Sequence, residues 1–228
     1  MRITFGRRSG AALFAGAVLL ASSQAQAQIA SAFYREGVQL PGAAPGQLVI
    51  SINNPATNHV TGYAGAVNTS DGVSTLSHVW GHATGGVGTV MRTEGTFGPY
   101  TQTAYESFYG ISDSGQVAYS PTLTGAPVAN ADSVWLDSTP VAVGGTAHPT
   151  LPGQFWSFGS RPGVTAGGTP YFSGGITTSV GGATSNRGLF FGMTGGTVAL
   201  LGGQTPPNIP RALTTGASQP AFDYRVSA

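Results

Sequence analysis

The chain has 228 residues, only 7% of them charged, and it contains no lysine and no cysteine. The lack of cysteine excludes disulfide stapling and thiol catalysis. The scarcity of positive charge excludes the basic footprint that nucleic acid or an anionic lipid surface requires, while 40% hydrophobic and 10% aromatic content asks for a packed core rather than a disordered chain.

Residues 1–27 read as a signal peptide. Arg2, Arg7 and Arg8 give a basic start, and residues 11–21 are an apolar run. That run is too short to span a bilayer as a helix. Ala25-Gln26-Ala27 supplies the small-x-small pattern of a cleavage site. Cleavage after Ala27 leaves six arginines against eight carboxylates, a net of −2, and places the mature protein outside the cytoplasm, secreted or periplasmic. No cofactor is expected.

Beyond the signal no stretch shows helical periodicity. Short runs rich in Val, Tyr, Phe, Trp and Thr alternate with Gly/Pro/Asn/Ser turns, which predicts an all-β chain. In order, the expected strands are 47–53, 62–69, 77–81, 88–92, 104–111, 115–123, 133–137, 140–144, 155–161, 169–174, 188–193 and 197–201, with 222–226 near the end. Gly62, Gly115 and Gly168 recur every 53 residues and open similar segments. The repeat predicts about three four-stranded, propeller-like units near 59–111, 112–164 and 165–210, within a β domain over 28–210. A half unit at 33–58 precedes them, and 211–228 form a C-terminal strand or tail. A β-prism or trefoil-like threefold repeat is the alternative fold. On this reading strand 47–53 is spare and the last unit lacks one, so the first strand is expected to complete the last sheet and hide two edges, with 222–226 competing for that place.

The repeats resemble bacterial exported proteins with tandem NxxGxxAF motifs, often associated with a PEP-CTERM or other sorting anchor. The matching stretches are Ser112-Asp113-Ser114-Gly115-Gln116-Val117-Ala118-Tyr119, Thr165-Ala166-Gly167-Gly168-Thr169-Pro170-Tyr171-Phe172 and, more weakly, His59-Val60-Thr61-Gly62-Tyr63-Ala64-Gly65-Ala66. The Gly/Pro corner between units is similar too, as Gly145-Thr146-Ala147-His148-Pro149 and as Gly37-Val38-Gln39-Leu40-Pro41-Gly42. In this alignment the motif's Asn is replaced by His59, Ser112 and Thr165. No PEP-CTERM tail follows Arg211, so anchoring is expected to be lost. The resemblance implies no established reaction.

Few residues are arranged for chemistry. His78 and His82 lie four apart, a spacing that suits a metal on a helix. On a strand it separates them by about 13 Å, which reads as two strand-end histidines. Asp71 and Asp113 sit in Gly-containing turns, where a carboxylate either holds Ca²⁺ or caps the turn; no run of further ligands accompanies them. Glu36 and Glu94 stand at matching corners beside Arg35 and Arg92, which suits rim ion pairs or, less simply, a glycosidase pair. Ser112 and Ser114 lack a histidine partner, and Gly-rich runs such as 85–88 lack the helix and lysine of a phosphate loop. Trp80, Trp135 and Phe190 fall at comparable places in their units and read as core. Trp156 and Tyr105 lie near loops and, with Tyr100, are the candidate ligand-binding residues; Tyr109 and Tyr171 could join such a stacking surface. The expected role is non-enzymatic binding of exopolysaccharide or an envelope protein through repeat loops. A carbohydrate-active hydrolase and a self-assembling homo-oligomer are the alternatives.

Overall fold

The computed structural model describes residues 35–53 and 55–203. Among these residues there is no helix, and fourteen strands form three antiparallel sheets. The first sheet holds β1 (Leu48–Ile52), β2 (Ala56–Thr57), β3 (Tyr63–Ser70), β4 (Thr75–His82) and β5 (Thr89–Thr93) in the order β1-β3-β4-β5, with β2 also on β3. The second holds β6 (Gly95–Phe97), β7 (Tyr100–Ile111), β8 (Val117–Thr124), β9 (Ala131–Leu136) and β10 (Thr139–Val143), ordered β10-β9-β8-β7-β6. The third is the meander β11 (Phe155–Val164), β12 (Pro170–Thr177), β13 (Asn186–Phe191) and β14 (Thr197–Leu201).

Two expectations change. The spare first strand does not join the last sheet: β1 pairs with β3, from Leu48 opposite Ser70 to Ile52 opposite Val67. The strand expected at 104–111 does not close the unit before Gly115. It is part of β7, which pairs across the following turn with β8. A turn of five residues ties its two flanking strands into a hairpin, so the sheets divide before β1, β6 and β11 rather than at the glycines. Residues 1–27, 204–210 and 211–228 lie outside the described residues, and so does the strand expected at 222–226.

Proline shapes the irregularities. Pro121 lies inside β8, where it has no N–H to give to the ladder. Opposite it the register of β7 shifts between Thr103 and Tyr105 and again before Tyr109. Pro162 does the same within β11, whose register shifts between Ser160 and Gly163. Ala104 and Arg161, in these bulged strands, take positive φ values of 41° and 51°, a region costly for residues other than glycine.

The core follows from alternation along β8 and β9. Val117, Tyr119, Leu123, Ala131 and Trp135 turn toward Ala64, Ala66 and Val79 of the first sheet. Ala118, Val134 and Leu136 turn toward Trp156, Phe172 and Phe190 of the third. The middle sheet is therefore covered on both faces, which is why its strands read as nearly continuous apolar runs. Each large side chain so buried contributes about 1.5–3 kcal/mol. Trp80, Trp135 and Phe190 are core as expected, at 5%, 1% and 0% exposure. Each sits opposite a residue of the strand before it: Gly65, Tyr119 and Phe172.

Candidate functional site

Three turns join β2 to β3, β7 to β8 and β11 to β12, and they are built alike. In each, a polar residue donates its backbone N–H to the carbonyl four residues on: Asn58 to Gly62 at 3.1 Å, Ser112 to Gln116 at 2.9 Å and Thr165 to Thr169 at 2.9 Å. Its side-chain oxygen accepts the N–H of that same residue, at 2.6, 3.0 and 3.0 Å. Asn, Ser and Thr are the side chains short enough to cap their own turn in this way. Gly115 and Gly168 supply the left-handed step, with φ of 86° and 87°. This geometry corrects the alignment at the first turn. Asn58, not His59, stands with Ser112 and Thr165, and Gly62 aligns with Gln116 and Thr169. Gly62 is required for another reason: a Cβ there would run into the carbonyl of Ala83.

The turns touch in sequence. The Asn58 amide donates to the Ser112 carbonyl at 3.0 Å and to the Ala83 carbonyl at 3.0 Å. The His59 backbone N–H donates to Asp113 Oδ1 at 3.0 Å, and the His59 ring Nδ1 lies 3.5 Å from the same oxygen. Asp113 N–H reaches the Ala166 carbonyl at 3.4 Å. Between the first and third turns lies a cavity of about 180 Å³. The first turn contributes Thr57, Asn58 and His59 to its wall, and the third contributes Thr165 and Ala166. Ile111 and Val164, the last residues of β7 and β11, supply an apolar part, and Tyr171 of β12 closes one side.

The polar groups of this wall divide into spent and unspent. Asn58 is spent: Oδ1 accepts from Val60 and Gly62, and Nδ2 donates twice. Thr165 Oγ1 accepts one N–H and keeps its own proton to donate. His59 Nε2, Thr57 Oγ1 and Tyr171 Oη have no hydrogen-bond partner among the described residues. No carboxylate, arginine or lysine lines the cavity.

The aromatic residues expected to bind ligand lie elsewhere. Trp156 is 2% exposed, enclosed by Phe172, Phe190 and the His148 ring. Tyr105 is 8% exposed, its ring edge-on to Tyr119 and its hydroxyl donating to Gln102 at 3.0 Å. Rings so enclosed have no face to offer a sugar. Nearness to a loop in sequence misled here: the corner at 145–148 folds back over Trp156, and Tyr105 lies inside the long strand β7. Tyr100 is half-buried and edge-on to Trp135. Of the tyrosines considered, Tyr171 is the one that lines the cavity. The site residues the sequence did not single out are Asn58, Thr57, Ile111, Val164 and Ala166. The hairpin register alone identifies them.

The other candidates resolve into structural roles. His78 is buried; its Nε2 bonds Thr69 Oγ1 at 2.8 Å and its Nδ1 bonds Thr93 Oγ1 at 2.9 Å. His82 Nδ1 accepts the N–H of Thr84 and of Gly86. Asp71 caps its turn through Val73 and Ser74, whose N–H groups hold its carboxyl below the usual range. Ser112 and Ser114 share a hydroxyl bond at 3.0 Å. Arg92 lies 4.4 Å over the Phe97 ring. Glu36 is exposed and Glu94 half-buried; neither lines the cavity. Among the described residues no group of three or more His, Cys, Asp or Glu side chains is placed to hold a metal, and no helix is long and apolar enough to cross a membrane.

One unexpected pair is acidic. Glu106 accepts the Ser160 hydroxyl at 3.0 Å, between the second and third sheets. Burial pushes the carboxyls of Glu106 and of nearby Asp132 above their ordinary values. No family model, curated protein or solved structure matches the chain.

Proposed function

We propose that this chain is an exported, non-catalytic module of three propeller-like repeat units, kin to the NxxGxxAF proteins, which binds polysaccharide or an envelope protein at its capping turns. The observation that carries the reading is a run of three like-built turns, from three sheets, in contact with one another, the first and third of which line a cavity. Kinship is supported by what the motif residues do. The Asn, Ser or Thr caps all three turns; in the second and third the Gly supplies the left-handed step and the aromatic position pairs with a core aromatic of the next strand. Export rests on the apolar run at 11–21 and the Ala25-Gln26-Ala27 site. Purified mature protein should retain a cell-surface polysaccharide or an envelope protein in pull-down. Failure across both panels overturns the reading.

A carbohydrate-active hydrolase is the second reading. Glu106 and Asp132 favour it more than Glu36 and Glu94 do, because a half-buried carboxyl that keeps its proton is what a general acid requires. Release of reducing ends from a polysaccharide panel, lost on Glu106→Gln, would establish it.

A further inference from the structure

We infer that the cavity among the capping turns is a subsite for a single neutral pyranose ring, and this rests on the binding reading above. Size sets the first limit. A space of about 180 Å³ holds about six waters at about 30 Å³ each. That is the scale of one sugar ring and below the several hundred Å³ of sites for drug-sized ligands. A nucleotide or an oligosaccharide does not fit inside; one residue of a longer chain does.

Chemistry sets the second limit. Ile111, Val164 and the Tyr171 ring give an apolar surface for the C–H face of a pyranose. Thr57, Thr165, Tyr171 and His59 Nε2 stand around it with hydrogen-bonding capacity that the fold has not used. Hydroxyls, which both donate and accept, suit such a mixed set. A carboxylate or sulfate does not: no lysine or arginine lines the cavity, and the Asp113 carboxyl stands just behind His59. An anion held there would meet the Asp113 carboxyl without an arginine or lysine to pair with. The subsite therefore selects neutral hexoses over hexuronic acids. Asn58 does not take part in binding. It holds the first turn against the second and so fixes where His59 and Thr57 stand.

The test is a titration of the mature protein with the methyl glycosides of glucose, galactose and mannose, and with glucuronic and galacturonic acids, followed by NMR. At least one neutral glycoside should saturate with Kd about 1 mM, the scale for a ligand of this size. The uronic acids should bind at least about ten-fold more weakly. Tyr171→Phe, which removes one hydroxyl and keeps the ring, should weaken binding about five-fold. Ala166→Phe fills the space and should abolish it; should that variant fail to fold, Tyr171→Phe decides. If polysaccharide is retained in pull-down but no neutral glycoside binds, or both variants bind as the parent does, the subsite is overturned and the binding reading stands. The same holds if uronic acids bind as well as neutral sugars. If neither polysaccharide nor protein is retained, both fall.

Discussion

Asn58, Ser112 and Thr165 each commit a side-chain oxygen to one backbone N–H, and this small choice decides where the chain reverses. Ser112 is fully buried, so its loss leaves the Gln116 N–H without its partner. Ser112→Ala should cost about 1–2 kcal/mol in urea unfolding; no change in midpoint would remove the cap from the account. Buried ionisable groups give a second prediction, with two opposing signs. Burial lowers the pKa of His78 and His148 from an ordinary 6.5. As pH falls below about 6.5, the unfolded chain takes up protons that the folded chain refuses, so stability falls with acid. Glu106 and Asp132 act the other way. Their folded pKa values are raised, so above about pH 4 the unfolded chain releases protons that the folded chain keeps, and their contribution to stability falls as pH rises. Glu106→Gln keeps an acceptor for Ser160 and removes one opposing part. The melting temperature of that variant should fall more steeply from pH 7 to pH 5 than the parent's. An identical slope would show that Glu106 is not held protonated by the fold.

At the scale of strands and sheets, close approach between backbones is what the glycines permit. A Cβ on Gly110 would stand 2.6 Å from the Val164 nitrogen and 2.7 Å from Gly163 Cα, so β7 and β11 meet there without side chains between them. Gly110→Ala should cost about 1–3 kcal/mol, read as a lower urea midpoint. Gly167→Ala meets nothing within 4 Å and has no positive φ; it should stay within about 0.5 kcal/mol of the parent. Equal effects from the two would refute the contact. Twelve of the fourteen strands were legible in the sequence, because apolar alternation and Gly/Pro turns both mark them; the short β2 and β6 were not. The core aromatics Trp80, Trp135 and Phe190 were legible for the same reason. The partition into sheets was not. A period of 53 residues is the same wherever counting begins, so it cannot say whether β7 closes one unit or opens the next. The hairpin across Ser112–Gln116 decides that. The cavity was hidden by a further detail: the first turn is displaced by one residue, which put His59 where Asn58 belongs.

For the whole molecule, the question is whether three sheets need a neighbour. The residues that face the next sheet answer it. Ala64 pairs with Gly81 in the first sheet and Ala118 with Leu136 in the second. Ala64, Ala118 and Leu136 are buried where the following sheet packs. The corresponding pair in the third sheet is Tyr171 with Phe191, two rings 5.7 Å apart and half-buried. Four residues along the same ladder, Arg187 lies over the Phe158 ring at 5.4 Å. The Tyr171 and Phe191 rings are half-buried, unlike Ala64, Ala118 and Leu136 at the corresponding places. The first sheet is closed in its own way. Gly88 lies so near the Trp80 ring that a Cβ would overlap it, and Pro55 covers Gly65. Both end faces thus carry packing from their own chain. Light scattering after size exclusion should give one chain at all accessible concentrations. A dimer would mean that Tyr171, Phe191 and Arg187 form an interface instead of an end, and Arg187→Glu would then be expected to break it.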